Sequence, residues 1–320
     1  MKLFKTLLFI TLLLPLGCKN DIDINAPYKD VAIVYGFLDQ NEPIQYIRIQ
    51  KLYQNSSTSN TSEGANIADS LYFDSLVVKL VNIVTKDTFT CIKVDSIPKN
   101  LGFFSSAKNT LYACTFPKNN LANELFELRI FYPKKNALFI SRTNIVKDAV
   151  IPFRKVVLKT VPANHIFSFK FTTAKNAAMY DLTIRYFYKE MDAADNSIYE
   201  IKHIDYSVAK GKLYPAESDR TENIGSRTYI DYLKLRIPND VTKKRTSIGI
   251  TYMAYGGSEE FQTMLDLSSP NLSIAQKNPE FSNISNGLGI FTSRNYVSTI
   301  MEIDPFTVSL LGDELPNFID

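Results

Sequence analysis

The feature that most constrains this chain is a two-residue rhythm of apolar and polar side chains, repeated in short bursts along most of its length. Within residues 126–132, Phe126, Leu128, Ile130 and Tyr132 share one side, while Glu127 and Arg129 take the other. Within residues 167–172, Phe167, Phe169 and Phe171 alternate with Ser168, Lys170 and Thr172. Leu182, Ile184, Tyr186 and Tyr188 alternate with Thr183, Arg185 and Phe187, and Leu233, Leu235 and Ile237 with Lys234 and Arg236. A period of two is that of a strand with one face in a core, because successive side chains leave a strand on opposite sides. The same reading predicts strands over 31–38, 45–52, 76–84, 88–94, 201–208 and 247–254.

Composition agrees with a sheet protein. The chain has 21 Phe and 18 Tyr but no Trp, and aromatic residues suit a half-buried pleated surface. The lack of Trp argues against a carbohydrate site built on indole stacking. At 45% hydrophobic and 22% charged, the chain has the makeup of a folded protein of 320 residues, long enough for two domains. Pro152 and Pro162 flank one strand-like run, residues 156–161, and mark a break. The expected class is therefore all-β, with tandem β-sandwich domains. Residues 29–150 form a first, immunoglobulin-like sandwich, residues 151–162 a linker, and residues 163–320 a second β-rich domain with one short helix and long loops. Residues 54–69, rich in Ser, Asn and Thr, read as a polar loop. The single helix starts at Ser258, a good N-cap. Glu259 and Glu260 follow in its first turn, and Phe261, Met264 and Leu265 lie on one face.

The first 17 residues read as an export signal. Lys2 and Lys5 precede an uncharged stretch of ten residues, 7–16, which is too short to span a bilayer. Leu16, Gly17 and Cys18 resemble the lipobox of bacterial lipoproteins, in which the cysteine is acylated and becomes the new N-terminus. Pro15 departs from that pattern, since the family usually has Leu there. The resemblance implies a mature chain beginning at Cys18, a tether over 18–28 and attachment to a membrane through lipid. Two or three acyl chains hold such a protein permanently, because each buried methylene contributes about 0.8 kcal/mol. The mixed-charge leader Lys19, Asn20, Asp21, Ile22 and Asp23 loosely resembles tags that send lipoproteins to the outer face of the outer membrane; the periplasmic face is the alternative.

Motifs that would force a reaction do not emerge. The two histidines, His165 and His203, stand in no metal-binding spacing and beside no nucleophile motif. A triad assembles in space rather than in sequence, so spacing alone does not decide the matter. Gly287-Leu288-Gly289 falls short of a nucleotide-binding loop because Thr stands at position 292, and Asn286-Gly287 reads as a tight turn. Asp21, Asp23 and Asn25 lack the glycine and distal glutamate of a calcium loop. Lys243, Lys244 and Arg245, after Asn239 and Asp240, read as an exposed turn. The net charge of +3 falls to +1 once Lys2 and Lys5 leave, which gives no reason to expect nucleic acid as a partner. No cofactor or metal is called for. Beyond Cys18 the cysteines are Cys91 and Cys114. They can pair in an oxidising compartment, or serve as small buried strand residues.

Two segments together resemble a known family. Val31-Ala32-Ile33-Val34-Tyr35-Gly36-Phe37-Leu38, with Pro43 and residues 45–50 after it, is similar to that family's entry signature. Phe281-Ser282-Asn283-Ile284-Ser285-Asn286-Gly287-Leu288-Gly289-Ile290-Phe291 is similar to its most recognisable block. The family is the lipoproteins of Bacteroidota that carry the domain of unknown function 4249. The resemblance implies an accessory role beside a TonB-dependent outer-membrane transporter, with no catalytic residues to carry over. It also implies structural roles for Tyr35, Gly36, Ser282, Asn283, Asn286, Gly287, Gly289 and Phe291: Asn286 and Gly287 hold a turn, while Ile290 and Phe291 fill the core beneath it. The leading expectation is thus a binding and docking protein rather than an enzyme, its ligand unspecified. A structural or adhesive surface module is the alternative, and an envelope hydrolase ranks last because no motif points to one.

Overall fold

A computed structural model describes residues 31–52, 71–95, 97, 109–115, 125–268 and 281–319. The export signal, the tether and the polar insert at 54–69 lie outside these residues. Seven strands come first: β1 (Ala32–Leu38), β2 (Ile44–Lys51), β3 (Val77–Asn82), β4 (Thr88–Val94), β5 (Leu111–Thr115), β6 (Leu125–Tyr132) and β7 (Ala137–Asn144). After the short β8 (Lys155–Val156) come β9 (Ile166–Thr172), β10 (Met179–Asp192), β11 (Tyr199–Leu213) and β12 (Asp219–Gly225). Helix α1 (Ser226–Arg236), β13 (Lys243–Gly257), α2 (Glu259–Ser268), β14 (Leu288–Ile303) and α3 (Pro305–Glu314) complete the chain. The protein is all-β with a few short helices.

Hydrogen bonding links twelve strands in the order β11-β10-β13-β14-β1-β2-β5-β4-β3-β6-β7, with β8 on β14, and leaves β9 and β12 as a separate pair. Two cores form beneath this path. The first holds Val34, Ile47, Leu80, Phe126, Leu128, Ile130 and Phe139 from the early strands. It also takes in Ile284 and Phe291, which come from far later in the chain. The second lies between the long strands β10 and β13 on one side and β9, β12, α1 and α3 on the other, with Tyr180, Tyr186, Tyr229, Leu233, Tyr252 and Leu311 inside. Burying each such side chain contributes about 1.5–3 kcal/mol.

In the first unit β4 changes partner midway: Cys91 lies opposite Val78 of β3, and Ile92 lies opposite Ala113 of β5. Cys91 and Cys114 are disulfide-bonded at that switch, with Cα atoms 4.2 Å apart. Closing a loop with a sequence separation of 23 is worth about 3 kcal/mol on the chain-entropy model.

The long strand β14 belongs to both units. Residues Leu288 to Ser293 pair in parallel with Ile33 to Leu38 of β1. Arg294 to Met301 then pair antiparallel with Gly257 to Ile250 of β13, and Glu302 and Ile303 meet β8. Ser293, at the changeover, is fully buried. Its hydroxyl donates to the Leu38 carbonyl at 2.9 Å and accepts from the Val146 amide at 2.9 Å, while its own carbonyl accepts from the Ser258 amide at 3.2 Å.

Several expectations need correction. Leu233, Leu235 and Ile237 are not a strand: Leu233 is buried, but Leu235 is 83% exposed. The true period joins Tyr229, Ile230, Leu233 and Ile237, all buried on one side of α1 and its C-terminal end. Among the described residues the second unit has three helices rather than one. The overlooked α3 carries clear start signals, Pro305 at its first turn and an Asp304 cap that accepts from the Phe306 amide at 3.0 Å. Of the run at 156–161, only Val156 is strand, as the second residue of β8. Lys243 to Arg245 open β13 instead of forming an exposed turn, and Arg245 is fully buried.

Arg245 survives burial because its charge is met. Its Nε donates to Glu190 Oε2 at 2.8 Å, and its Nη1 donates to the Pro316 carbonyl at 2.9 Å. Lys202 donates to the other Glu190 oxygen at 2.5 Å. Burial pushes the Glu190 carboxyl up, but the Lys202 and Arg245 hydrogen bonds outweigh it and hold the group below the ordinary glutamate range. A carboxyl depressed in this way adds stability above its unfolded pKa and loses it as pH falls through the folded one. Glu190→Gln strands Arg245 and is expected to cost about 3–5 kcal/mol at neutral pH by chemical denaturation. The gap between variant and wild type should narrow as pH drops below the usual glutamate range; a constant gap would show that the pair carries no such load.

Candidate functional site

A cleft suited to a ligand lies at the seam where β14 passes from one unit to the other. Its volume is about 400 Å³, within the range of small-molecule sites. Four distant stretches line it: Asp39, Asn41 and Glu42 from the β1–β2 turn, Met179 and Asp181 from β10, Tyr255, Gly256, Gly257 and Phe261 around the end of β13, and Arg294 to Tyr296 from β14.

The β1–β2 turn is fixed from below. Gln45, buried at the start of β2, accepts from the Asp39 amide at 2.9 Å and donates to the carbonyls of Asp39 and Glu42 at 2.8 and 2.7 Å. The Asp39 carboxylate accepts from the Asn41 amide at 3.0 Å. From the connection between the units, Asp148 accepts from Asn41 Nδ2 and Asn295 Nδ2, each at 2.9 Å. Burial pushes the Asp39 carboxyl above the usual aspartate range, against the opposing Asn41 amide and Arg294 guanidinium. Burial acts on Asp148 too, but hydrogen bonds from Asn41, Gln40 and Asn295 bring it below the usual range.

The opposite wall is aromatic. Tyr255 and Tyr296 sit directly across β13 and β14, with ring centroids 4.7 Å apart and planes 30° apart. Such facing aromatic pairs stabilise a sheet by about 0.2–1 kcal/mol. Both rings are about two-fifths exposed. Beside them Arg185 is neutralised by a bidentate pair with Asp205 at 2.6 and 2.7 Å, which holds Asp205 below the usual aspartate range. Asp181 accepts from the Gly211 amide at 2.6 Å. Helix α2 closes one end: Phe261 meets the Phe37 ring edge-on at 5.5 Å, and the Arg294 guanidinium lies 5.7 Å from the same ring. The Ser258 hydroxyl caps α2, accepting from the Phe261 amide at 3.5 Å, and shares a 2.5 Å hydrogen bond with Thr292.

Apart from Phe261, the residues singled out by sequence lie elsewhere. Cys18 is outside the described residues. The two resembling segments meet each other in the first unit, with Gly36 opposite Phe291 and the half-exposed Tyr35 opposite Ile290. Asn283 acts as an extra strand partner there: it accepts from the Phe291 amide at 2.9 Å and donates to the Phe291 carbonyl at 2.7 Å. Ser282 donates to the Gly287 carbonyl at 3.1 Å, and Asn286, in the left-handed region, donates to the Leu138 carbonyl at 3.3 Å. Gly289 has φ +103°, and a Cβ there would stand 2.0 Å from the Val34 carbonyl oxygen, so no side chain fits. Ile290 and Phe291 are fully buried.

His165 and His203 have local roles. His165 Nδ1 lies 2.7 Å from Ser226 Oγ, but that hydroxyl is fully buried at the start of α1. His203 is exposed on β11, its ring 5.9 Å from Phe187. Among the described residues no group of three or more His, Cys, Asp or Glu side chains is placed to hold a metal ion. Of the cleft residues, sequence reading reached only Phe261, as part of the α2 face; the rest lacked any local motif.

No family model matches the chain, and no curated protein matches it in sequence. The resemblance to the lipoprotein family therefore rests on its own two segments.

Gly257 is the tightest point of the cleft. A Cβ there would approach Phe261 Cδ1 to 2.7 Å and Met179 Cγ to 3.2 Å. Gly257→Ala is expected to displace the Phe261 ring and destabilise the protein by about 1–3 kcal/mol, measurable by urea unfolding. An unchanged midpoint would show that α2 is not seated on this glycine.

Proposed function

We propose that this protein is a lipid-anchored binding protein of the cell envelope. Acylated Cys18 holds it on the outer membrane, surface-exposed, and it serves as an accessory docking partner of a TonB-dependent transporter. The observation that carries the binding reading is the cleft at the seam. It is ligand-sized, mixes aromatic rings with charged groups, and is built on side chains fixed from behind by Gln45, Asp148 and Asn295. Sites of that makeup bind by preorganisation. The Ser226–His165 pair does not favour turnover, since its hydroxyl is buried.

Leu16-Gly17-Cys18 supports the anchor, and the resemblance of residues 31–50 and 281–291 supports the transporter setting. Among the described residues no helix is long and apolar enough to cross a membrane.

A tagged full-length copy, purified from mild-detergent outer membranes, is expected to bring down a TonB-dependent transporter in stoichiometric amount by mass spectrometry. A partnerless protein would overturn the docking role. Cys18→Ser is expected to abolish incorporation of a labelled fatty acid and release the protein from the membrane fraction. Labelling that persists in the variant would sink the anchor.

A further inference from the structure

The seam cleft carries three carboxylates, Asp39, Glu42 and Asp181, against one guanidinium, Arg294. Among the described residues none of these four side chains lies within ion-pair distance of an opposite charge, although Arg294 is near enough to act on Asp39 electrostatically. Arg185, the other cation near the tyrosine wall, is already consumed by Asp205. Glu42 is exposed at the rim, while Asp39 and Asp181 are half-buried and border an aromatic surface. Tyr255 and Tyr296 line the same cleft, their rings packed on one another at 4.7 Å and each residue about two-fifths exposed, so an outer ring face carries negative potential beside the carboxylates. Met179, Phe261 and the backbone of Gly256 and Gly257 supply an apolar floor suited to a short alkyl stem.

We propose that this cleft binds an organic cation: an alkylammonium or guanidinium group on an apolar stem. The stem lies along Met179 and Phe261, and the cation sits over the Tyr255–Tyr296 pair within reach of Asp181, Asp39 and Glu42. Cation–π attraction and unneutralised carboxylates then act on the same charge, a combination that recurs where proteins recognise ammonium groups. The cleft volume of about 400 Å³ admits a lysine- or arginine-sized side chain or a free amine of similar length. The proposal deepens the binding reading above by naming the ligand class of its cleft, and it is independent of the lipid anchor and the transporter.

The test is calorimetric titration of the detergent-solubilised full chain at low ionic strength. The probes are n-butylammonium, the blocked tripeptide acetyl-Gly-Lys-Gly-amide and the same peptide with its lysine Nε-acetylated. Both charged probes are expected to bind, and the acetylated one at least about tenfold more weakly. Binding of butylammonium alone would identify a free amine as the ligand, and binding of the peptide alone a basic polypeptide side chain. Asp181→Asn with Glu42→Gln is expected to weaken binding about tenfold or more. Tyr255→Leu with Tyr296→Leu keeps apolar bulk on the exposed sheet face while removing the ring faces, and is expected to do the same; unchanged circular dichroism confirms its fold. No heat with either charged probe, equal affinity for the acetylated peptide, or affinity indifferent to both double variants would each overturn the proposal. None of these outcomes bears on whether the protein co-purifies with a transporter.

Discussion

The structure depends on one strand being divided between two partners. β14 meets β1 and β13 one after the other along its length, in parallel and then antiparallel. It spends 288–293 on the parallel neighbour and 294–301 on the antiparallel one. The changeover leaves backbone groups that no regular ladder serves, and a buried unpaired group costs about 1–3 kcal/mol. Ser293 resolves this with a hydroxyl that both donates and accepts, joining Leu38 from β1 to Val146 from the connection. Its carbonyl takes the Ser258 amide just ahead of α2. One fully buried small polar side chain thus ties together the end of the first sheet, the chain between the units and the cap of a helix. Alanine would come close to its bulk but would remove the hydroxyl that accepts from the Val146 amide.

Upstream of that point, β14 needs a second partner on the side away from β1. Asn283 supplies it by presenting a side-chain amide that bonds both the amide and the carbonyl of Phe291. The Ser285 amide donates to the Ile140 carbonyl at 2.8 Å, and this link brings β7 round to the start of β14. The first unit therefore closes only with help from residues near the end of the chain. Phe291 and Ile284 bury into its core, so the early strands and residues 281–293 stabilise one another across most of the sequence. Contacts so distant in sequence incur loop-closure entropy before they repay it, which favours slow folding.

Alternation predicts structure well where one face of a strand meets a core and the other meets water. β4, β6, β9 and β10 fall close to their predicted places for that reason. It fails where the pattern is short or covered on both sides. Leu233, Leu235 and Ile237 fit a strand over five residues, and only the wider window with Tyr229 and Ile230 reveals the helix. β14 opens with Leu288-Gly289-Ile290-Phe291-Thr292-Ser293, and residues 290–293 are all buried, so no polar face advertises a strand there. Arg245 looked solvated because its partners, Glu190 and the carbonyl of Pro316, lie 55 and 71 residues away. The cleft was hidden for the same physical reason: its walls come from four stretches that only the seam brings together.

The seam also explains why a site should lie at this place. A cleft between two packed units is rigid only if both walls are referenced to one element, and here that element is β14. Tyr296 and Arg294 belong to it directly. Tyr255 is its cross-strand neighbour, and Asp39 and Glu42 follow β1, its parallel partner. Asn295, also on β14, shares the Asp148 carboxylate with Asn41 of the opposite wall, so a single acceptor spans the base of the gap. Side chains held at both ends lose little further freedom when a ligand arrives, and the ordering that costs about 0.5–1.5 kcal/mol per mobile side chain is already in place. The constraint that joins the two units is thus the one that preorganises the cleft between them.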